Sequence, residues 1–240
     1  MILYLYGDNS FAINRQLQAI RQKYIAKNGE GADFVKYDLS RDSIEKLLTE
    51  ISVVPMFATS RLVFVENAAA AKPQIELLEK TIASVPESTN LVFSDIAPDK
   101  RTVAFKLLSK LEHAKQFKAQ PTDSLPAWLQ REAKKLGVSL DYQLARYMVD
   151  HIGPDQWRLH NELSKLVDSG EPLTKDLVNN LCSPSFDSSA FQLAEALVRK
   201  NSPEALKIYD QLKLEGSADQ QIHGAIIYQY RMILLATLGD

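Results

Sequence analysis

Short, continuous apolar runs punctuate the first half of the chain at residues 2–6, 62–65 and 91–93, and helix-length segments separate them. A strand that shows one face to water alternates apolar and polar residues; a strand buried on both faces does not. These runs therefore predict a parallel sheet, with the intervening helices covering both of its faces. Residues 34–37 and 115–119 read as two further short strands. Helices are predicted over about residues 11–26 behind the capping pair Asn9 and Ser10, over 43–51 with Ile44, Leu47, Leu48 and Ile51 inward, over 73–84 with Pro73 in the first turn, and over 102–111.

Strand signals stop near Pro121. Trp128, Leu129, Ala133 and Leu136 share one helical face, ended by Gly137. A second helix over residues 140–151 meets Gly153-Pro154. Asp155 caps a third, with Trp157, Leu159, Leu163 and Leu166 at helical spacing, and residues 174–182 make a fourth. Ser183-Pro184-Ser185 breaks the chain, and helices near residues 189–200, 203–214 and 219–238 follow. The expected organisation is an α/β domain over residues 1–121, a small all-α domain over 122–185 and a further helical unit over 186–240.

Hydrophobic residues make up 45% of the chain and the net charge is −2, so a sizeable core is expected and a protein built to grip bare duplex DNA is not. No run approaches the ~20 apolar residues of a membrane span, and the first run lacks the basic flank of a secretion signal; the expected address is the cytoplasm, with no membrane partner. The single cysteine, Cys182, lies among Leu177, Val178 and Leu181 and reads as a buried structural thiol. The four histidines (positions 113, 151, 160 and 223) have no partner at metal-ligand spacing, so no metal site is predicted. No catalytic constellation emerges.

A strand, a glycine and a helix at the start of an α/β domain raise the question of a phosphate-binding loop. That loop needs a first glycine, a second one five residues on, then Lys and Ser or Thr, so that backbone amides wrap the phosphates and the Lys neutralises them. With Gly7 as the first glycine, the remaining positions hold Ala12, Ile13 and Asn14. Replacing the cation by Ile13 predicts that ATP is not bound tightly and that no cofactor is used. Glu66 alone follows the strand that would present a magnesium-binding acid, and it reads as an ordinary strand-end carboxylate.

Four patterns, in order along nearly the whole chain, carry a resemblance: Tyr4-Leu-Tyr-Gly-Asp8 with Phe11; Val54-Pro-Met-Phe57 leading through Arg61 into the strand at Leu62; Gly153-x-Asp155-x-x-x-Leu159-x-x-Glu162-Leu163-x-Lys165-Leu166; and Phe191-x-Leu193-x-x-Ala196-Leu197 with Ala205-Leu206 and Leu212. The chain resembles the delta subunit of the bacterial DNA polymerase III clamp loader. The resemblance implies an AAA+-like α/β domain without a working phosphate loop, a helical lid and a helical collar. It also implies a non-catalytic subunit that binds and opens the sliding clamp by protein–protein contact, while sister subunits, joined through the collar, hydrolyse ATP. Members of this family usually run longer, so the collar over residues 186–240 is expected to be partial. Val53 stands where clamp-binding peptides often begin with Gln.

Met56 and Phe57, with Val54 behind them, read from the residues alone either as core or as an exposed apolar wedge; the resemblance favours the wedge, entering a pocket on the clamp. Lys100, Arg101, Lys106, Lys110, Lys115 and Lys118 stand against Glu112 alone, a local charge of +5. A solvated helix face explains that stretch; a face turned to DNA threaded through the assembly is the sharper reading, with Lys100, Arg101, Lys106 and Lys110 foremost, and DNA contact indirect or weak. The segment 219–238 is apolar nearly all round and has to be covered, by a shared collar or by this chain's own core. Two other functions remain open on the residues: an active ATPase or kinase, and an α/β interaction module unrelated to replication.

Overall fold

The computed structural model describes residues 1–29, 33–52, 60–69 and 75–238. The chain forms two compact units, Met1–Gln120 and Pro121–Asp240. In the first, β1 (Ile2–Gly7), β2 (Asp33–Asp38), β3 (Arg61–Glu66), β4 (Thr89–Ile96) and β5 (Ala114–Gln116) pair in the order β2-β3-β4-β1-β5, every pair parallel. Between them run α1 (Ser10–Asn28), α2 (Ile44–Ser52), α3 (Ile75–Ala83) and α4 (Val103–Leu108).

The strand period of two divides each apolar run between two cores. On one face Leu5, Leu62, Phe64 and Val92 meet Ile13, Leu17 and Tyr24 of α1. On the other Tyr4, Val63, Val65, Leu91 and Phe93 meet Leu47 and Ile51 of α2, Leu78 of α3 and Phe105 and Leu108 of α4. Burying a side chain such as Phe93 contributes about 1.5–3 kcal/mol, and both cores draw on the same strands, β1, β3 and β4. Because β1 and β2 are sequential yet separated by β3 and β4, α1 has to cross the sheet, which explains why its core includes residues of three strands.

The second unit is helical throughout its described residues. A short 3-10 turn, Thr122–Ser124, leads into α5 (Leu125–Lys135), followed by α6 (Tyr142–Ile152), α7 (Gln156–Asp168), α8 (Lys175–Leu181), α9 (Phe186–Val198), α10 (Ser202–Leu214) and α11 (Asp219–Leu238). The starts of α6, α7 and α9 have side-chain caps: Asp141 accepts from the Gln143 amide at 2.8 Å, Asp155 from Arg158 at 2.7 Å and Ser185 from Ser188 at 3.2 Å. The last of these corrects the expected start of α9 near residue 189. Ser183-Pro184-Ser185 breaks the preceding helix, but Ser185 is already the cap of the next. α5 begins at Leu125, with Pro126 accommodated in its first turn. Cys182 is buried, and burial pushes its thiol up to about 12, with Glu162 adding to the shift.

Within the second unit, α9, α10 and α11 share a small core of Leu193, Ala196, Ala205, Leu212 and Ile222. Only one stripe of α11 is covered there; Ile227, Tyr228 and Met232 are about half exposed or more. Among the described residues no helix is long and apolar enough to cross a membrane.

The tightest backbone constraint is at the end of β1. Gly7 has φ +136°, and a Cβ there would overlap the Phe117 carbonyl, lying 2.7 Å from its carbon. Gly137, at φ +83°, has nothing within 4 Å of its virtual Cβ. Gly7→Ala is therefore expected to destabilise the protein by about 3 kcal/mol or more, combining strain and overlap. Gly137→Ala should cost only the left-handed penalty of about 1–2 kcal/mol. Chemical denaturation of the two variants against the parent checks the difference.

Candidate functional site

In open parallel sheets ligands bind at the carboxyl ends of the strands, where neighbouring strands send their connections to opposite faces. Here that place lies between β1, which leads to α1 on one face, and its neighbour β4, which leads to α4 on the other. The crevice is lined by Gly7, Asp8 and Asn9 from β1 and by Asp95, Ile96 and Ala97 from β4.

The crevice is closed by the chain itself. Only Asp8 and Asn9 separate β1 from α1, too little backbone to wrap a phosphate chain. The Asn9 side chain, 6% exposed, caps α1 by accepting from the Ala12 amide at 2.9 Å, and its Nδ2 donates to the Lys118 carbonyl at 3.3 Å. Its own amide donates to the Phe117 carbonyl at 3.2 Å. Across the crevice the Ala97 amide donates to the Gly7 carbonyl at 2.9 Å, with Ala97 held at φ +47°. The helix N-terminus that would receive an anion is thus occupied by a neutral amide.

Ala12, Ile13 and Asn14 do not line a phosphate site. α1 starts at Ser10, so position 13 is already inside the helix, and Ile13 is 1% exposed in the core with Leu5, Phe64 and Val92. Asn14 donates to the Ser10 carbonyl at 3.1 Å. Glu66 pairs with Lys36 at 2.9 Å on the outer side of β3. The adjoining Asn67, at φ +59°, donates to Asp38 at 2.7 Å; this bond, with those from Ser40, holds the Asp38 carboxyl down at about 2.

One polar group at the crevice escaped the sequence reading. Asp95 is 3% exposed, and its two carboxylate oxygens accept from the Ala69 amide at 3.1 and 3.2 Å, tying the turn after β3 to the end of β4. Burial pushes its carboxyl up to about 6, against the lowering effect of the Ala69 bond. Tyr4 lies beside it on β1; burial, and then the charge of Asp95, raise its hydroxyl pKa. The available signal was an acid two residues beyond the apolar run Leu91–Phe93.

Val54, Met56 and Phe57 lie outside the described residues. Lys100, Arg101, Lys106 and Lys110 are all exposed on or next to α4. Arg101 is engaged on both sides of its guanidinium by Asp99, through Nε to Oδ1 at 3.0 Å and Nη2 to Oδ2 at 2.8 Å, so the basic stretch is less positive than its own residues suggest. Among the described residues no group of His, Cys, Asp or Glu could hold a metal ion.

Residues 3–120 match the family model described as DNA polymerase III, delta subunit. This region, just under half of the chain, is similar to the DNA polymerase III delta-subunit family. A solved Bacillus subtilis DNA clamp loader delta protein is similar over 100% of this chain and 76% of its own, at 21% identity and a TM-score of 0.65. A Thermotoga maritima RuvB variant is similar over 84% of this chain and 71% of its own, at 9% identity and a TM-score of 0.53. At those identities the likeness is one of fold, and the fold is AAA+-like: a parallel sheet flanked by helices, followed by a helical region. No curated protein matches the chain.

The buried acid of this domain makes stability depend on pH. Unfolded, Asp95 loses its proton near the ordinary value of about 4; folded, it keeps it to about 6. Between those values the unfolded chain has already shed a proton that the folded chain retains, so stability falls as pH rises through this window and stays lower above it. The cost at neutral pH is about 2–3 kcal/mol. Asp95→Asn, which can still accept from Ala69, should raise the melting temperature near neutral pH and leave it unchanged near pH 4, as read by thermal unfolding at the two pH values.

Proposed function

We propose that this chain binds and opens the sliding clamp of the replication machinery by protein–protein contact, without binding or hydrolysing ATP itself. The observation that carries the second half of this reading is the closed crevice. Asn9 caps the helix N-terminus, Ile13 is buried where a phosphate-neutralising lysine would stand, and the Ala97–Gly7 hydrogen bond spans the gap. An AAA+-like domain whose nucleotide site is filled by its own backbone is suited to transmit motion made by sister subunits.

In this reading Met56 and Phe57 enter a pocket on the clamp with Val54 supporting them. Residues 122–185 act as the lid, and 186–240 begin the collar that joins the other loader subunits. The exposed stripe of α11 supports the last assignment, since apolar side chains at Ile227, Tyr228 and Met232 favour a protein partner. Lys100, Lys106 and Lys110 would meet DNA only weakly, and Arg101 less still because Asp99 holds it. The work is done in the cytoplasm, where the replication machinery assembles.

Two measurements test the reading. Calorimetric titration with Mg-ATP should show no binding and no turnover; micromolar affinity with hydrolysis would restore an active ATPase. Met56→Ala/Phe57→Ala should weaken clamp binding by about a hundredfold or more, since each buried apolar anchor contributes roughly 1.5–3 kcal/mol and each 1.4 kcal/mol is tenfold. A double variant that melts much earlier than the parent would mean that these side chains belong to the core instead.

A further inference from the structure

The break between α8 and α9 runs from Cys182 to Ser185, and each of its residues is tied to the corner between α6 and α7. His151 Nε2 donates to the Cys182 carbonyl at 3.2 Å; a carbonyl only accepts, so this nitrogen carries the proton. Arg158 Nη2 donates to the Ser183 carbonyl at 2.9 Å and to the Pro184 carbonyl at 3.1 Å. The Ser185 amide donates to the His151 carbonyl at 2.7 Å. The last four carbonyls of a helix have no partner within it, and this amide supplies one for the end of α6. Gly153, at φ +98°, permits the close approach: a Cβ on it would lie 3.4 Å from Ser185 Cβ.

A serine–proline–serine break ordinarily turns its carbonyls to water and leaves the chain free to bend. Here its partners are themselves fixed. The His151 ring is 7% exposed and stacks on Tyr147 with 5.7 Å between centroids, and the Tyr147 hydroxyl donates to Asn179 of α8. Its aim is therefore set from α8 as well as from α6. Apolar packing does less to fix the direction of α9. The core of Leu193, Ala196, Ala205, Leu212 and Ile222 belongs to α9, α10 and α11 alone. On one flank of the joint an open cleft of about 480 Å³ lies between α6 and α9, lined by Tyr147 and His151 from the first and Phe191 and Glu195 from the second. That space leaves α9 room to swing, and the directional bonds from His151 and Arg158 oppose it.

We propose that His151 and Arg158 form a latch that holds α9–α11 in one direction relative to α5–α8. Arg158 is the stronger half, because its hydrogen bonds are charge-assisted and grip two successive carbonyls at once. The latch itself stands apart from what the chain binds. Its use in a clamp loader rests on the reading above: with residues 122–185 as the lid and 186–240 as the collar, a displacement of the collar is passed to the lid rather than absorbed at the bend.

The latch is tested on the full chain by double electron–electron resonance between nitroxides at Arg131→Cys on α5 and Lys207→Cys on α10, both exposed positions. The native Cys182 is buried with its thiol pushed up to about 12, so it does not compete for the label. The latched chain should give one narrow distance distribution. Arg158→Met keeps the stem and removes the donors; it should broaden the distribution or add a second distance, and speed hydrogen exchange at the Ser185 amide by about tenfold or more. Exchange within α10 should stay within about twofold of the parent, since the core of α9–α11 is untouched. His151→Phe keeps a ring over Tyr147 without the donor and should broaden the distribution less than Arg158→Met. A broad or two-peaked distribution in the parent overturns the proposal, as does a parent-like one in folded Arg158→Met. Where that variant does not fold, Arg158→Lys takes its place, because its shorter stem stops the ammonium short of the bend, and a parent-like distribution there overturns the proposal too. Wild-type clamp binding by Met56→Ala/Phe57→Ala would sink the clamp-contact reading and leave the latch standing, so the two failures are distinct.

Discussion

The carbonyl of Phe117 sits where a side chain at position 7 would have to be, and the architecture around the sheet's carboxyl edge follows from that contact. Because Gly7 lacks a Cβ, β5 and the residues after it can run close against the turn out of β1. That closeness brings the Phe117 and Lys118 carbonyls within reach of Asn9, which then has partners for its amide and for its side chain while it caps α1. A glycine that in a phosphate-binding loop frees backbone amides for a ligand is used here to let the protein's own backbone in.

Much of this was legible in the sequence, for a reason that also marks the limit. Strands buried on both faces appear as continuous apolar runs, so β1, β3 and β4 could be placed. But since Leu62 and Val63 are equally apolar, nothing in the run shows that one faces α1 and the other α2–α4, or that β1 lies beside β4. The loss of the phosphate loop could be read from Ile13. That the crevice is filled could not, because the residues filling it come from the opposite end of the domain. Asp95 was passed over because an acid ending a strand normally reaches water, and only the turn at Ala69 keeps it dry. Local chemistry misled once at α9, where the same serine ends one pattern and caps the next.

Two buried charged groups, Asp95 and Arg61, sit at opposite edges of the same sheet, and the contrast between them separates two uses of a buried ion. Asp95 has no cationic partner in its hydrogen bonds among the described residues; it is held by an amide, and its raised pKa shows that burial outweighs that bond. Arg61 is held by two carboxylates and a helix-end carbonyl, all with defined direction. The first stabilises a turn at a cost that grows as pH rises from about 4 to about 6 and stays level above that. The second joins three elements through bonds of defined direction.

The position of these groups also sets the two edges of the sheet apart. In a parallel sheet the strand-to-helix connections lie at the carboxyl edge, where ligands bind, and the helix-to-strand connections lie at the amino edge. In this chain the Asn9, Ala12 and Ala97 amides at the carboxyl edge are all engaged in internal hydrogen bonds. The connection from α2 to β3 begins and ends at the amino edge, away from that closed crevice, and its stems are tied by a side chain that needs no nucleotide to hold its place.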